Sequence, residues 1–341
     1  LRLSASPHIR APFTTQKIMF MVLLALMPAL LGSIYFFGMR ALWLSLIGVA
    51  SAVATEAVVQ KLLGREITVW DGSAAITGLL VAFNIPPCSP LWLPAAGSIF
   101  AIVVAKQLFG GLGYNFINPA LAGRAFLMAS WPSIMTNFRG ILELPDAHIP
   151  ALSGVPAMDA VTQATPLTAV KMYPDSAHLL MSKDGLLPLF FGNVGGVVGE
   201  TSALLLLIGG IFLIITRVID WRIPVGYIGT VFVFSGLLSL FGVIPTGPLF
   251  HILAGGLMLG AFFMATDYVT TPITLKGRWI FAIGCGILTV LIRVWGGYPE
   301  GVSYSILLMN VFSPLIEKYT MPKPFGLKIL STLKARASSV D

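Results

Sequence analysis

The chain is poor in charge and in metal-binding chemistry. Only 10% of its 341 residues are Asp, Glu, Lys or Arg, against roughly 25% in a soluble domain, which excludes an ordinary water-facing globule. Its two cysteines, Cys88 and Cys285, are far apart and form no CxxC, and its four histidines (His8, His148, His178, His251) have no ligand spacing. A self-contained iron-sulfur or zinc site is therefore not expected. Dinucleotide fingerprints are also lacking: the glycine-rich "GGLGYNFINPALAG" (110 to 123) follows an apolar span and not a strand. The net charge of +7 comes with neither a basic polar face nor a nucleic-acid motif, so no nucleic-acid partner is expected.

What is present is apolar sequence. Hydrophobic residues make up 56% of the chain and the mean hydropathy is +0.89, so the reading is an all-α integral membrane protein embedded in a lipid bilayer. Runs of about 20 apolar residues match the hydrocarbon thickness. The first, "KIMFMVLLALMPALLGSIYFFG" (17 to 38), is long enough to span and lacks a small-residue cleavage site, so it reads as a helix and not a removable signal. Ten spans are predicted: 17 to 37, 41 to 63, 71 to 86, 90 to 109, 116 to 130, 195 to 217, 223 to 242, 248 to 266, 277 to 295 and 302 to 318.

With the N-terminus inside, fifteen basic residues fall on the cytoplasmic side: Arg2, Arg10, Lys17, Lys61, Arg65, Lys106, Arg217, Arg222, Lys276, Arg278, Lys318, Lys323, Lys328, Lys334 and Arg336. Five (Arg40, Arg139, Lys171, Lys183, Arg293) fall outside, and Arg124 lies within a span. The asymmetry follows the positive-inside rule. It predicts cytoplasmic termini and an extracytoplasmic segment at 131 to 194.

The spans form two blocks of five. "TGLLVAFNIPPCSP" (77 to 90) aligns with "LGAFFMATDYVTTP" (259 to 272), "FAI" at 100 to 102 meets "FAI" at 281 to 283, and Gly110-Gly111 meets Gly296-Gly297. The offset drifts from 181 to 186 residues. Units that start five helices apart have opposite orientation, so the sequence predicts two inverted five-helix repeats. The parts are a first repeat (1 to 130), a connector (131 to 194), a second repeat (195 to 320) and a cytoplasmic tail (321 to 341). In such folds, short or Gly/Pro-interrupted spans at equivalent places line the functional midplane, and the spans from 71 and from 248 qualify. Composition and repeat leave two classes open: a small-solute channel or transporter, and a membrane redox subunit.

Five motifs in order over nearly the whole chain then narrow the choice: "GGLGYNFINPALAGRAF" (110 to 126), "DAVTQATPL" (159 to 167), "GNVGGVVGETSAL" (192 to 204), "GAFFMATDYVT" (260 to 270) and "LIRVWGGYPEGVSYSILLMN" (291 to 310). Together they resemble the D subunit of the Rnf ion-translocating electron-transport complexes, a family shared with the B subunit of the sodium-pumping NADH:quinone reductase. The resemblance implies a flavin-carrying subunit of a ferredoxin:NAD oxidoreductase in the inner membrane of a bacterium or archaeon. Iron-sulfur, flavin and NAD-binding subunits would be its partners, and sodium ions or protons its cargo.

The resemblance also implies an FMN esterified through its phosphate to a threonine, at the end of a motif like Asp-x-x-(Ser/Thr)-Gly-Ala-(Ser/Thr), attached by a flavin transferase. Asp159, Thr162, Ala164 and Thr165 fit that pattern, with Gln163 in place of the commonest Gly, so Thr165 is the expected flavin anchor. An exposed loop with small neighbours suits a transferase that must reach the hydroxyl. The local alternative is a turn capped by Thr hydroxyls and ended by Pro166. A non-covalent riboflavin is the second cofactor implied, with Trp70, Phe83 and Tyr268 as possible stacking partners.

Intramembrane charges cost about 2.5 to 3.5 kcal/mol on insertion scales and are functional candidates by default. Arg124 could hold a flavin phosphate or the reduced ring, or pair with a carboxylate on another helix. Glu200 reads as a helix N-terminal carboxylate or as a border of the FMN pocket. Glu56 and Asp267, with Thr266, Thr270 and Thr271 nearby, are the residues expected along a cation path. A helix-end cap for Asp267 and a paired or snorkelling carboxylate for Glu56 are the alternatives.

Overall fold

The computed structural model describes residues 14–138, 165–172, 183–192, 194–200, 202–298 and 300–322. Asp159, Thr162, Gln163 and Ala164 lie outside the described residues. Among those described there are helices and no strand.

The first half contains α1 (Thr15–Phe37), α2 (Met39–Leu62), α3 (Ser73–Phe83), α4 (Trp92–Phe100, continuing as a π-helical turn Ala101–Gln107), α5 (Pro119–Ser130) and the short α6 (Pro132–Met135). Two short helices follow, α7 (Pro166–Met172) and α8 (Lys183–Phe191). The second half contains α9 (Ala203–Ile215), α10 (Arg222–Leu240), α11 (Pro248–Leu253), α12 (Leu257–Leu259, continuing as a π-helical turn Gly260–Met264), α13 (Leu275–Trp295) and α14 (Val302–Thr320).

Polar side chains start several of these helices by satisfying the free amides of a first turn. Asn118 accepts from the Ala120 and Leu121 amides at 3.0 and 3.3 Å, just before a proline preorganised for the first helical position. Ser202 caps α9 through the Leu205 amide, and Thr274 caps α13 through the Gly277 amide. Four helices, α1, α2, α10 and α13, are each long and apolar enough to cross a bilayer, while α3, α4 with its π turn, and α9 are shorter and apolar. The chain is therefore a helical membrane protein.

Within the first half α2 packs on α3 and α4, and α4 on α5; within the second, α10 packs on α11 and α13, and α13 on α14. The halves meet where α1 packs on α9 and α5 on α14. Helix starts repeat at one spacing: α10 begins 183 residues after α2 (39 to 222), α13 183 after α4 (92 to 275), and α14 183 after α5 (119 to 302). The α2–α3 contact depends on absent side chains, because a Cβ at Gly48 would sit 2.7 Å from the Gly78 carbonyl oxygen.

Both halves contain an interrupted helix whose freed carbonyls need donors in a place without water. After α3, Arg40 donates to the carbonyls of Pro87, Cys88 and Ser89 at 3.0, 3.3 and 2.9 Å. The same break is bordered by a non-helical segment, 195–199, expected from the sequence to be helical from 195. Here the Val198 and Gly199 amides donate to the Ile85 and Phe83 carbonyls at 3.0 and 2.9 Å. The close approach is made by Gly199, where a Cβ would lie 2.3 Å from Phe83 Cβ, and not by the "GNVGG" glycines as a group. Between α11 and α12, Gly255 has φ +71° and Arg293 donates to the carbonyls of His251 and Ala254 at 2.5 and 3.1 Å.

Candidate functional site

Two buried polar clusters lie at opposite ends of α3, one at Ser73 and one at Asn84. In the first, Lys106 on the π turn meets Glu56 on α2: the ammonium is 2.8 Å from one carboxylate oxygen and 2.9 Å from the other. Lys106 also donates to Ser73 Oγ at 2.6 Å, and Ser73 donates to Asp71 at 2.7 Å. Gln107 and Gln60 donate to Glu56 at 2.8 and 3.4 Å. In an α-helix consecutive side chains diverge; the wider π turn lets Lys106 and Gln107 both reach one carboxylate, a distortion frequent at functional sites. A buried ion pair repays its desolvation only with such added hydrogen bonds.

Lys106 lines a cavity of about 110 Å³. One part of its wall is apolar, with Ile76, Leu80, Phe262 and Phe263; another is polar, with Ser73, Asn115, Asn118, Thr266 and Asp267. Asn118 closes the cavity across the two halves by donating to the Met264 carbonyl at 3.1 Å. Asp267 accepts from Thr270 Oγ1 at 3.2 Å and from the Val269 amide at 3.4 Å. The hydroxyls of Thr266 and Thr271 go to the Phe262 and Asp267 carbonyls, so the threonines do not converge as a ready-made cation cage. Glu56 and Asp267, far apart in sequence, nevertheless belong to one site, joined by Lys106.

The second cluster centres on Arg124, 5% exposed on α5. It donates to Asn84 Oδ1 at 2.6 Å, lies 3.4 Å from Glu200, and forms an ion pair with Glu300. Of the two readings for Arg124, the ion pair is present, but its carboxylates stand in the segments before α9 and α14 and not on a helix. Glu200 is not a helix cap, since Ser202 takes that role; its carboxylate packs against Gly256, where any Cβ would clash with it.

Thr165 precedes α7 and accepts from the Thr168 amide at 3.3 Å, with its hydroxyl 2.8 Å from that of Thr168. It is 5% exposed and not the open loop residue expected. Its neighbour Leu167 packs at Gly255: a Cβ there would lie 2.6 Å from Leu167 Cδ1 and 3.3 Å from Arg293 Nη2. The short helix that Thr165 precedes thus reaches the second helix break through Leu167, one glycine away from the Glu200 contact. Lys171 on the same short helix donates to the Arg293 carbonyl at 3.3 Å, and burial lowers its pKa. Arg293 Nε and His251 Nδ1 are buried without a hydrogen-bond partner among the described residues.

Sequence reasoning missed Lys106 and Arg293, which it assigned to the two membrane faces from within the spans 90 to 109 and 277 to 295, and also Asn84, Glu300, Asn115 and Asn118. The signal was available for Lys106: a single charge only a few residues from the end of an apolar run, before Gly110-Gly111, is as consistent with burial as with a loop. Of the suggested stacking residues, Tyr268 lines the inner cavity, Phe83 is fully buried in the core and Trp70 is 83% exposed.

Interrupted helices, helices long and apolar enough to cross a bilayer, and buried charge clusters between them define a polytopic membrane protein with a polar interior. The chain belongs to the NQR2, RnfD, RnfE family, which matches residues 2–326. It is 51% identical to the D subunit of the Na(+)-translocating ferredoxin:NAD(+) oxidoreductase complex of Acetobacterium woodii, over 98% of each chain. Identity is 48% to the D subunit of the proton-translocating ferredoxin:NAD(+) oxidoreductase complex of Clostridium ljungdahlii, over 96% of each chain. The D subunit of the ion-translocating oxidoreductase complex of Stutzerimonas stutzeri is 42% identical over 92% of each chain. These relatives are subunits of oxidoreductase translocases.

Proposed function

We propose that this chain is the flavin-bearing membrane subunit of an ion-translocating ferredoxin:NAD oxidoreductase, acting only with iron-sulfur, flavin and NAD-binding partner subunits. The observation that carries the reading is the Lys106–Glu56 pair opening onto the cavity that Asp267 also lines. Charges of both signs at one amphipathic cavity can make the state of a bound ring and the binding of a cation depend on each other.

Ten crossings in two inverted five-helix repeats gain support from the common 183-residue spacing of three pairs of helix starts. With Lys106 and Arg293 removed as buried residues, the basic count is fourteen against four. That favours cytoplasmic termini, an extracytoplasmic connector 131–194 and the inner cavity opening toward the cytoplasm.

An FMN phosphoester on Thr165, attached by a flavin transferase, fits the residues present. Thr165 provides a hydroxyl; Arg293, whose guanidinium lies at Gly255, has an Nε donor without an acceptor among the described residues, and His251 Nδ1 is a buried ring nitrogen without a partner there. Because Thr165 is buried, α7 must swing out for the transferase to reach it. A non-covalent riboflavin would have Phe262 and Tyr268 against its ring and Asn115, Asn118 and Asp267 as polar partners, but the inner cavity of about 110 Å³ is smaller than a flavin, so its walls must part for the ring to enter. When bound, the flavins supply the electron-transfer chemistry; the protein supplies position and charge.

Lys106 pairs with Glu56 and places its ammonium at the cavity wall, while Asp267 is the carboxylate available to a cation. A ring whose charge changes on reduction alters Asp267's affinity, and the cation must shift the ring's potential by the reciprocal amount. The relatives named above differ in moving sodium or protons, so family membership does not choose between them.

The deciding experiment expresses the chain with its transferase and partner subunits and looks for flavin fluorescence on a denaturing gel. A fluorescent band in the wild type that vanishes in Thr165→Ala is expected; a band that persists in the variant would exclude Thr165. The second reading, a solute channel of the same fold, predicts a colourless protein with solute flux.

A further inference from the structure

At the face where α9 ends and α10 and α13 begin, a pocket of about 370 Å³ is lined by Arg217, Arg222, Arg278, Asp220, Trp221 and Tyr268 among others. Asp220 accepts from Arg222 Nη1 at 2.9 Å and also pairs with Arg278. One carboxylate therefore serves two guanidinium groups, and among the described residues no carboxylate lies within ion-pair distance of Arg217. The pocket carries two positive charges more than its single negative one.

Arg217 is also the one described non-glycine residue at positive φ, 57°. It stands just beyond the end of α9, where the Val218 amide donates to the Leu213 carbonyl at 2.9 Å and the Arg217 amide to the Ile214 carbonyl at 3.0 Å. This is the helix-ending motif in which glycine is the usual residue, because a Cβ is penalised at left-handed φ. An arginine kept at a glycine position, in a basic pocket with no carboxylate of its own among the described residues, indicates that its side chain is used. The setting is that of a bilayer interface: Trp221 and Trp279 pack edge to face with centroids 6.0 Å apart, and the Arg222 guanidinium lies 5.4 Å from the Trp221 ring.

We infer that this pocket binds the phosphate headgroup of an anionic phospholipid, through Arg217 together with the outer faces of Arg222 and Arg278. Basic pockets between membrane helices recognise such headgroups. The acyl chains would run along the exposed apolar side of α9, where Ile215 and Ile211 are 74% and 43% exposed. The pocket shares Val218, Ile219, Thr266 and Tyr268 with the inner cavity. A bound phosphate would thus cancel a positive surplus that otherwise repels cations from Asp267.

Native mass spectrometry of the delipidated full-length chain tests this, with phosphatidylglycerol and phosphatidylcholine added at equal concentration. Wild type should retain phosphatidylglycerol in preference, and Arg217→Gly should lower that preference about fivefold, the equivalent of one interfacial charge. Glycine suits the backbone there, so Arg217→Gly should unfold no earlier than wild type, which separates lost binding from lost folding. Arg217→Lys should keep most of the preference. Equal binding of the two lipids by wild type, an unchanged preference in Arg217→Gly, or full displacement by millimolar inorganic phosphate would each overturn the assignment.

Discussion

Lys106 and Glu56, 2% and 1% exposed, meet at 2.8 Å between the π turn after α4 and the C-terminal third of α2. Neither charge is tolerable there alone. Lys106→Met should therefore destabilise the protein by about 3 to 5 kcal/mol, because it leaves a buried carboxylate without its cation. Lys106→Met combined with Glu56→Gln should recover much of that loss. Thermal unfolding of the purified variants in detergent checks both, and equal stability of the single and double variants would contradict the pairing.

Arg124 has two carboxylate partners, and their removal should not be symmetrical. Glu300→Gln leaves Arg124 paired with Glu200, and the Glu300 side chain is 13% exposed, so the loss should be small. Arg124→Leu strands two carboxylates and should cost several times more. Unfolding midpoints in the order wild type, Glu300→Gln, Arg124→Leu are expected.

Gly48 and Gly78 hold α2 and α3 in backbone contact. Gly78→Leu should force the helices apart at a cost of roughly 1 to 3 kcal/mol, and because α3 carries Ser73 and leads to Asn84, both polar clusters should be disturbed with it. Yield and unfolding temperature report the first effect.

The pH dependence of stability should include Asp220. Burial would raise its pKa, but hydrogen bonds from the Arg222 amide and from the Arg278 and Arg222 side chains outweigh it and hold the pKa below the ordinary value. A depressed carboxylate stabilises above its unfolded pKa, about 3.9, and that contribution is lost as pH falls through the folded value. Asp220→Asn should accordingly be less stable than wild type at pH 7, and the gap should close below about pH 4. Denaturation curves at both pH values measure it.

Much of the fold was legible because bilayer thickness imposes length and hydropathy on a crossing helix. The predicted spans at 17 to 37 and 277 to 295 lie within two residues of α1 and α13 at either end. The break after Leu253 was signalled only by Gly255-Gly256, and the non-helical 195–199 segment was not, since its Val198 and Gly199 amides bond to the Ile85 and Phe83 carbonyls of a distant segment. In the site, single intramembrane charges such as Glu56 and Arg124 announced themselves by their cost. Their partners did not: Lys106 and Glu300 sit at the ends of apolar runs, where burial is decided by the π turn and by re-entry of the chain. The exposure of Thr165 was misjudged for a related reason, because "TQATPL" reads as a polar turn while Leu167 anchors it at the second break.

The most direct measurement is the intact mass of the chain matured with its transferase, followed by mapping of the peptide that contains "TQATPL". A mass increment equal to one phosphoester-linked FMN, carried by Thr165, is the expected result. An unmodified Thr165 peptide from a protein active in its complex would contradict the account.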